Sequence, residues 1–177
     1  NPPVITANTV VSNPSFEKIK ASSFKNYYNE PFTETLKTYY QDNNHWPVWK
    51  EGSQQKIFHP QFHGREHVNV PMWLDLLQKD DESAKLAFSN NCWIISKHSI
   101  NDIRNIQATY DAINEDEASH SKKSIDEGIK LFKNIFGFTS KSFIANNFIW
   151  SKPVEKILGD NDVQFIQGMK YQKLPLV

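Results

Sequence analysis

The sequence predicts an α/β fold with mostly parallel strands, and three observations carry that reading. Short β-branched or aromatic runs alternate repeatedly with segments whose apolar residues recur at helical spacing, the pattern of consecutive β/α units. The first such run, Val4-Ile5-Thr6-Ala7-Asn8-Thr9-Val10-Val11, is short and β-branched like a strand covered on both faces. A chain of 177 residues fits one domain with a real core, and no internal repeat, low-complexity tract or second domain interrupts it.

Taken in order, residues 4–11 are a buried strand. Residues 12–30 are polar and aromatic with Pro14, and read as a long loop with short helical pieces. Phe32, Leu36, Tyr39 and Tyr40 give 32–40 a helical spacing. Pro47 opens a short helix through Val48, Trp49 and Gln54. Lys56-Ile57-Phe58 is a second strand, ended by Pro60. Pro71 opens a helix with Met72, Trp73, Leu76 and Leu77 on one side, and the acidic start at Asp81 suits another over 81–88. Trp93-Ile94-Ile95 reads as a strand, and Ile103, Ile106 and Tyr110 put 100–113 in helical register. A stronger helix spans 115–136, with Ile125, Ile129, Phe132, Ile135 and Phe136 inward, Glu115-Asp116-Glu117 at its start and Gly137 as its stop. Strands at 142–145 and 163–166 flank a last short helix over 154–158, and Asp160-Asn161-Asp162 reads as a turn.

Composition narrows the function classes. Lys plus Arg and Asp plus Glu number twenty each, so no basic groove for nucleic acid or anionic membrane is indicated. No apolar run of roughly 18 residues occurs, so no membrane-spanning helix is expected, and no signal peptide opens the chain. Cys92 is the single cysteine, which excludes an internal disulfide and thiolate zinc sites; its apolar run reads as core. Twelve Phe, six Tyr and five Trp suit either bulky packing or a sugar-facing surface. The β-branched opening without an initiator Met suggests a chain cut from a longer protein, a processed mature end being the alternative.

The most chemical stretch is Phe58-His59-Pro60-Gln61-Phe62-His63-Gly64-Arg65-Glu66-His67, where histidines recur every four residues. Neutral imidazole is the commonest metal ligand, and two of them four apart can face one way on a helical turn or on a loop leaving a strand. Random placement of the histidines would give such a triple only about 0.01 times. Ordinary core or surface histidines are the bland alternative. Read as H-x-x-E-H, His63–His67 matches an inverted zinc-peptidase signature with Glu66 as base, which requires a helix; Gly64 and Pro60 favour a loop instead. In parallel β/α architectures ligands bind at the carboxyl ends of strands, where both the His59–His67 segment and Asn146-Asn147 fall.

Read as H-x-x-x-H on a strand-to-helix loop, residues 57–70 resemble the second motif of the polysaccharide deacetylase family. Residues 142–150 and 163–168 resemble later parts of a branch described as polysaccharide (de)acetylase-like, so the likeness covers most of the chain. It implies a partial or distorted (β/α) barrel with mostly parallel strands, residues 1–177 being a single domain and a fragment of a longer barrel. It further implies a metal-dependent hydrolase removing acetyl groups from an N- or O-acetylated sugar or polysaccharide. By resemblance His63 and His67 are the metal ligands, His59 a weaker third, and the cofactor a divalent metal, zinc first, with nickel, cobalt or iron as alternatives. The family's Asp-Asp motif would lie upstream of Asn1, its arginine position is Ile144, and its final leucine-x-histidine is not found after Gly168. A non-catalytic carbohydrate-binding barrel derived from such enzymes is the other reading.

The remaining candidates are weighed on side-chain chemistry. Arg65 and Glu66 would contact substrate or the outer nitrogens of the imidazoles, or be a solvated loop pair. Asn146, Asn147 and Trp150 would line a sugar site, with amides bonding hydroxyls and the indole stacking on a pyranose; core packing of Trp150 is the alternative. His98 follows a strand-like run and His45 and His120 sit in polar contexts, which makes all three surface residues in the plainest reading.

Overall fold

The computed structural model describes residues 2–40, 45–93, 99–100 and 104–177. In chain order its elements are β1 (Ile5–Thr9), β2 (Ser12–Pro14), α1 (Phe16–Ala21), β3 (Asn29–Pro31), α2 (Phe32–Tyr39) and α3 (His45–Gln54). Then come β4 (Phe58–Phe62), α4 (Val70–Gln78), α5 (Glu82–Ser89), β5 (Ser99–Ile100), β6 (Arg104–Asn105) and α6 (Glu115–Phe136). The chain finishes with β7 (Ser142–Ile144), a 3-10 turn (Asn146–Phe148), α7 (Lys152–Asp160) and β8 (Phe165–Gln167).

The expected mixed α/β architecture is present: β1, β4, β7 and β8 form one parallel sheet, and they lie side by side in chain order. Two antiparallel pairs, β2 with β3 and β5 with β6, stand outside it. The first of these occupies the segment read as loop with helical pieces, of which α1 is the helical piece. No described helix is long and apolar enough to cross a membrane.

Strand β4 explains how the site is held. It runs through Pro60 rather than stopping there, and pairs with β1 from Ile5↔Phe58 to Thr9↔Phe62. Ile5 N–H bonds Ile57 O and His63 N–H bonds Thr9 O, so the odd-numbered residues of β4 carry the ladder to β1. Pro60 therefore faces the other way, toward β7, where pairing begins only at Phe62↔Phe143 and a missing N–H loses nothing. Side chains complete that seam. Phe62 N–H donates to Ser140 Oγ at 2.8 Å, and Gln61 Oε1 accepts from Ser142 N–H at 2.7 Å and Lys141 N–H at 3.0 Å.

Helix α6 spans the residues read from the sequence, because its ends are local chemistry. Asn114 accepts from Glu117 N–H at its start, three acids fill the first turn, and Gly137 closes it. Ile125, Ile129 and Phe132 are buried against Phe62, Phe143 and Trp150 in the larger apolar cluster. Gly128 lets the helix lie directly on β4 and its loop, since a Cβ there would stand 2.7 Å from the Phe62 ring. A second cluster, around Ile19, Val70, Trp73, Leu77 and Phe88, packs α4 and α5 beside α1. Helix α4 starts where Asn69 accepts from Met72 N–H, while its amide also donates to Ala108 and Asp111 carbonyls.

Several expectations fail for physical reasons. Strand β1 is not covered on both faces: it is an edge strand, and Ile5 is 65% exposed. Residues 104–113 are not helical; they form β6 and turns, tied down by Asn69 and by Arg104, which donates to the Asp111 carbonyl and to Glu117. Cys92 is exposed, so it is no core residue. The strand read at 93–95 and His98 lie outside the described residues apart from Trp93, which is in a bend.

Candidate functional site

The loop after β4 brings two of the three clustered histidines together. His63 follows the carboxyl end of the strand, and its ring centre lies 5.1 Å from that of His67, the planes at 69°. Residues 63–67 form a loop and not a helix. His59 is not part of this pair. It sits at the opposite end of β4, exposed, and stacks on Phe138 with ring centres 5.0 Å apart. At about 3.3 Å per residue a strand carries four-residue neighbours roughly 13 Å apart, whereas a loop can fold them together.

The end of β7 fixes the His63 ring. Ile144 O lies 2.8 Å from His63 Nδ1, and because a carbonyl can only accept, Nδ1 carries the proton. The lone pair is then on Nε2, 3.4 Å from the Asn146 amide nitrogen, which also donates to His63 O at 3.1 Å. Asn146 is fully buried and its Oδ1 has no hydrogen-bond partner. Buried His67 Nδ1 likewise has none, and the ring lies nearly parallel to Trp93. Burial holds both imidazoles below their ordinary range; His63 adds to the effect on His67, and the Ile144 carbonyl opposes it on His63. Both are therefore neutral at pH 7, the form that ligates metals.

Gly64 makes the loop possible. Its φ of 111° is open to glycine, and a Cβ would stand 2.6 Å from Tyr110 Oη and 3.1 Å from Asn146 Oδ1. Asn147 and Phe148, in the turn after β7, have left-handed backbone.

Arg65 and Glu66 point away from the histidines and are neither solvated nor poised for substrate at that pair. Both are buried, and the Arg65 guanidinium grips the Glu66 carboxylate through Nε and Nη2. Ser124 Oγ donates to the same carboxylate at 2.7 Å, and Arg65 Nη1 reaches Glu127 on the facing side of α6. Glu66 is thus committed elsewhere and cannot serve as the base of an H-x-x-E-H peptidase, whose helix is also absent. Trp150 is a core residue, its indole N–H donating to Glu155 at 2.9 Å, so it offers no stacking platform for a sugar. His120, read as solvated, packs edge-on to Tyr27 with Nε2 4.0 Å from Glu66 Oε1. Trp93 and Tyr110, read from sequence only as strand and helix residues, and the Tyr27–Ser124–Glu127 surroundings were not read as site residues; they lie far along the chain from residue 63, and no local pattern marks them as such.

A divalent cation fits this pair in part. With metal–nitrogen distances of about 2.0–2.1 Å, two imidazoles on one tetrahedral ion have ring centres roughly 5 Å apart, as His63 and His67 do. The unpartnered Asn146 Oδ1 adds lone pairs nearby, and His67 Nδ1 is unpartnered as well. No group of three His, Cys, Asp or Glu side chains suited to a metal occurs among the described residues. Compared with known proteins, the chain has no significant match to a family model, a curated protein or a solved structure.

Titration of the buried imidazoles gives a stability prediction. His120 is pushed down to about 4 by burial first and by Arg65 and Lys123 next, and His63 and His67 are lowered too. In the unfolded chain these groups protonate near an ordinary value of about 6.5. Below that pH the unfolded state binds protons that the folded state refuses, so stability is full above about pH 7 and falls from there toward about pH 4. Urea midpoints are expected to drop between about pH 7.5 and 5, and His120→Gln is expected to shallow that drop. Identical pH profiles for the parent and His120→Gln would contradict the burial of this ring.

Proposed function

We propose that His63 and His67 together bind one divalent cation at the carboxyl ends of β4 and β7, in a metal-dependent hydrolase that removes acetyl groups from an N- or O-acetylated sugar or polysaccharide. The observation that carries the reading is the pair itself: two neutral rings 5.1 Å apart, one with its tautomer set by a backbone carbonyl so that Nε2 keeps its lone pair. Chain-order parallel strands support a barrel-type winding, in which ligands meet the strands' carboxyl ends. The resemblance of residues 57–70 to the deacetylase motif supplies the substrate class.

When bound, such a cation would polarise the acyl carbonyl and lower the pKa of a bound water. The chain's own contribution is orientation. Ile144, standing where the family carries an arginine, offers its carbonyl to His63 instead, and Asn146 holds the His63 backbone. No general base is assigned: Glu66 is taken by Arg65 and Ser124, and the chain's Asp80-Asp81 pair stands between α4 and α5, where Asp81 caps α5. That lack of an uncommitted carboxylate beside the pair among the described residues favours a second reading, a carbohydrate-binding descendant that keeps the cation and not the reaction.

The test is a Zn²⁺ titration followed by an assay of acetate release from an acetylated polysaccharide. His63→Ala and His67→Ala are each expected to weaken Zn²⁺ binding by more than about 100-fold, since even outer partners of metal ligands are typically worth 10–100-fold. His59→Ala is expected to leave it unchanged. Equal losses in all three variants would refute the pair; binding without acetate release would select the second reading.

A further inference from the structure

Beyond the carboxyl end of β1 the chain builds a cleft of about 530 Å³ between the β2–β3 hairpin, helix α2 and the segment that follows α5. That volume lies within the range of small-molecule sites. The cleft adjoins the histidine pair through one side chain. Trp93 lines it, and the same indole lies nearly parallel to the His67 ring, with planes at 18° and ring centres 6.3 Å apart. The hairpin is tied to the loop that carries both histidines, because Ser12 N–H bonds Arg65 O at 2.8 Å.

The lining is aromatic and polar in equal parts. Phe16, Tyr39 and Trp93 supply the rings, and Asn13, Glu30, Thr35 and Asn91 supply the polar groups. Among the described residues no lysine, arginine or histidine lines it. A phosphate or carboxylate would therefore meet one negative charge and no positive one. A wholly apolar guest would instead leave the amides and the carboxylate without partners. A pyranose satisfies both halves, since its C–H face can lie on an aromatic ring while its hydroxyls bond amides and a carboxylate.

The polar half is held in place without being used up. Asn13 Nδ2 donates to Thr35 Oγ1 at 3.0 Å, and Thr35 Oγ1 donates to Glu30 Oε1 at 2.8 Å, a chain that joins the hairpin to α2. Among the described contacts this leaves Asn13 Oδ1 and Glu30 Oε2 as acceptors and the second Asn13 amide hydrogen as a donor. Groups fixed before binding lose less freedom when a ligand arrives. Thr35 and Tyr39 stand one turn apart on α2 and so share a face. Tyr39 is 60% exposed, a large ring kept in water at the rim of the cleft.

We propose that this cleft binds more than one unit of a neutral glycan chain, with Tyr39 and Trp93 as stacking surfaces and Asn13 and Glu30 as hydroxyl partners, the glycan continuing past Trp93 toward His67. This rests on the reading of His63 and His67 for the sugar unit that would react, while occupancy of the cleft itself needs no cation.

Calorimetric titrations of the full chain with cellotetraose, xylotetraose and N-acetylchitotetraose, each beside its monosaccharide, are run in EDTA so that no cation takes part. At least one tetrasaccharide is expected to bind saturably, and more tightly than its monosaccharide. Tyr39→Ala is expected to weaken that binding about tenfold, or about 1.4 kcal/mol, and Glu30→Gln, which keeps an acceptor for Thr35, about threefold. Tyr39 lies exposed at the end of α2, so its removal leaves the core intact. Tyr171→Ala removes a ring that is 75% exposed and does not line the cleft, and is expected to leave binding unchanged. No saturable heat with any of the three, equal affinity for monosaccharide and tetrasaccharide, or affinities indifferent to Tyr39→Ala and Glu30→Gln would overturn the proposal. Tetrasaccharide binding in a protein that fails to bind Zn²⁺ would refute the cation and uphold the cleft; Zn²⁺ binding without tetrasaccharide binding would do the reverse.

Discussion

Replacing Arg65 by methionine is expected to lower the unfolding free energy by about 3–5 kcal/mol, the loss typical when one partner of a buried ion pair is removed. The reason is what remains. Glu66 is 1% exposed, and without the guanidinium its carboxylate keeps the neutral Ser124 hydroxyl and Tyr27 phenol beside it but no cation among the described close contacts. Glu127, by contrast, is half-exposed and loses little, because solvent already screens it. The effect is therefore a charge left in the core rather than a bond lost at the surface. The double variant Arg65→Met/Glu66→Leu is expected to recover most of the deficit, since well-packed apolar replacements of buried pairs are often neutral. Urea denaturation of the three proteins decides it. A single variant within about 1 kcal/mol of the parent, well short of that buried-pair loss, would show that Glu66 has another partner or reaches solvent.

Gly64→Ala is expected to destabilise by about 2–4 kcal/mol, from backbone strain at a positive φ together with overpacking. At φ 111° the added methyl would stand 2.6 Å from Tyr110 Oη, and Tyr110 is buried and has no space to retreat. Gly64 lies between the two histidines in the chain and its own carbonyl accepts from Val11 N–H, so any relief must move the loop. Zn²⁺ affinity is therefore expected to fall along with stability. A Gly64→Ala protein with the parent's urea midpoint would mean that the loop after β4 follows another path. A normal affinity in a destabilised protein would separate the pair's geometry from the loop's strain.

The elements legible in the sequence are those whose ends are set by neighbours in the chain. Helix α6 is the clearest, because Asn114, the acidic first turn and Gly137 act within a few residues of one another. Helices α2, α3, α4, α5 and α7 were legible for the same reason, through apolar spacing, prolines in the first turn and the Asp81 cap. Residues 104–113 misled, since Ile106 and Tyr110 have helical spacing yet are buried by separate contacts, one in each apolar cluster. Pro60 misled in another way. Whether a proline interrupts a strand depends on which side its missing N–H faces, and only the neighbours of β4 decide that.

The histidine repeat, the loop it lies on and its position after a strand were present in the chain's own order of residues. So was the alternation of strands and helices, because periodicity and capping are short-range properties. The tertiary structure alone decided which histidines meet. A strand separates His59 from His63, while the bend at Gly64 folds His67 back toward it, and the Ile144 carbonyl, 81 residues on, sets the tautomer. It also turned Arg65 and Glu66 from an apparent loop pair into a buried one, since burial depends on what packs over a residue, and here α6 does.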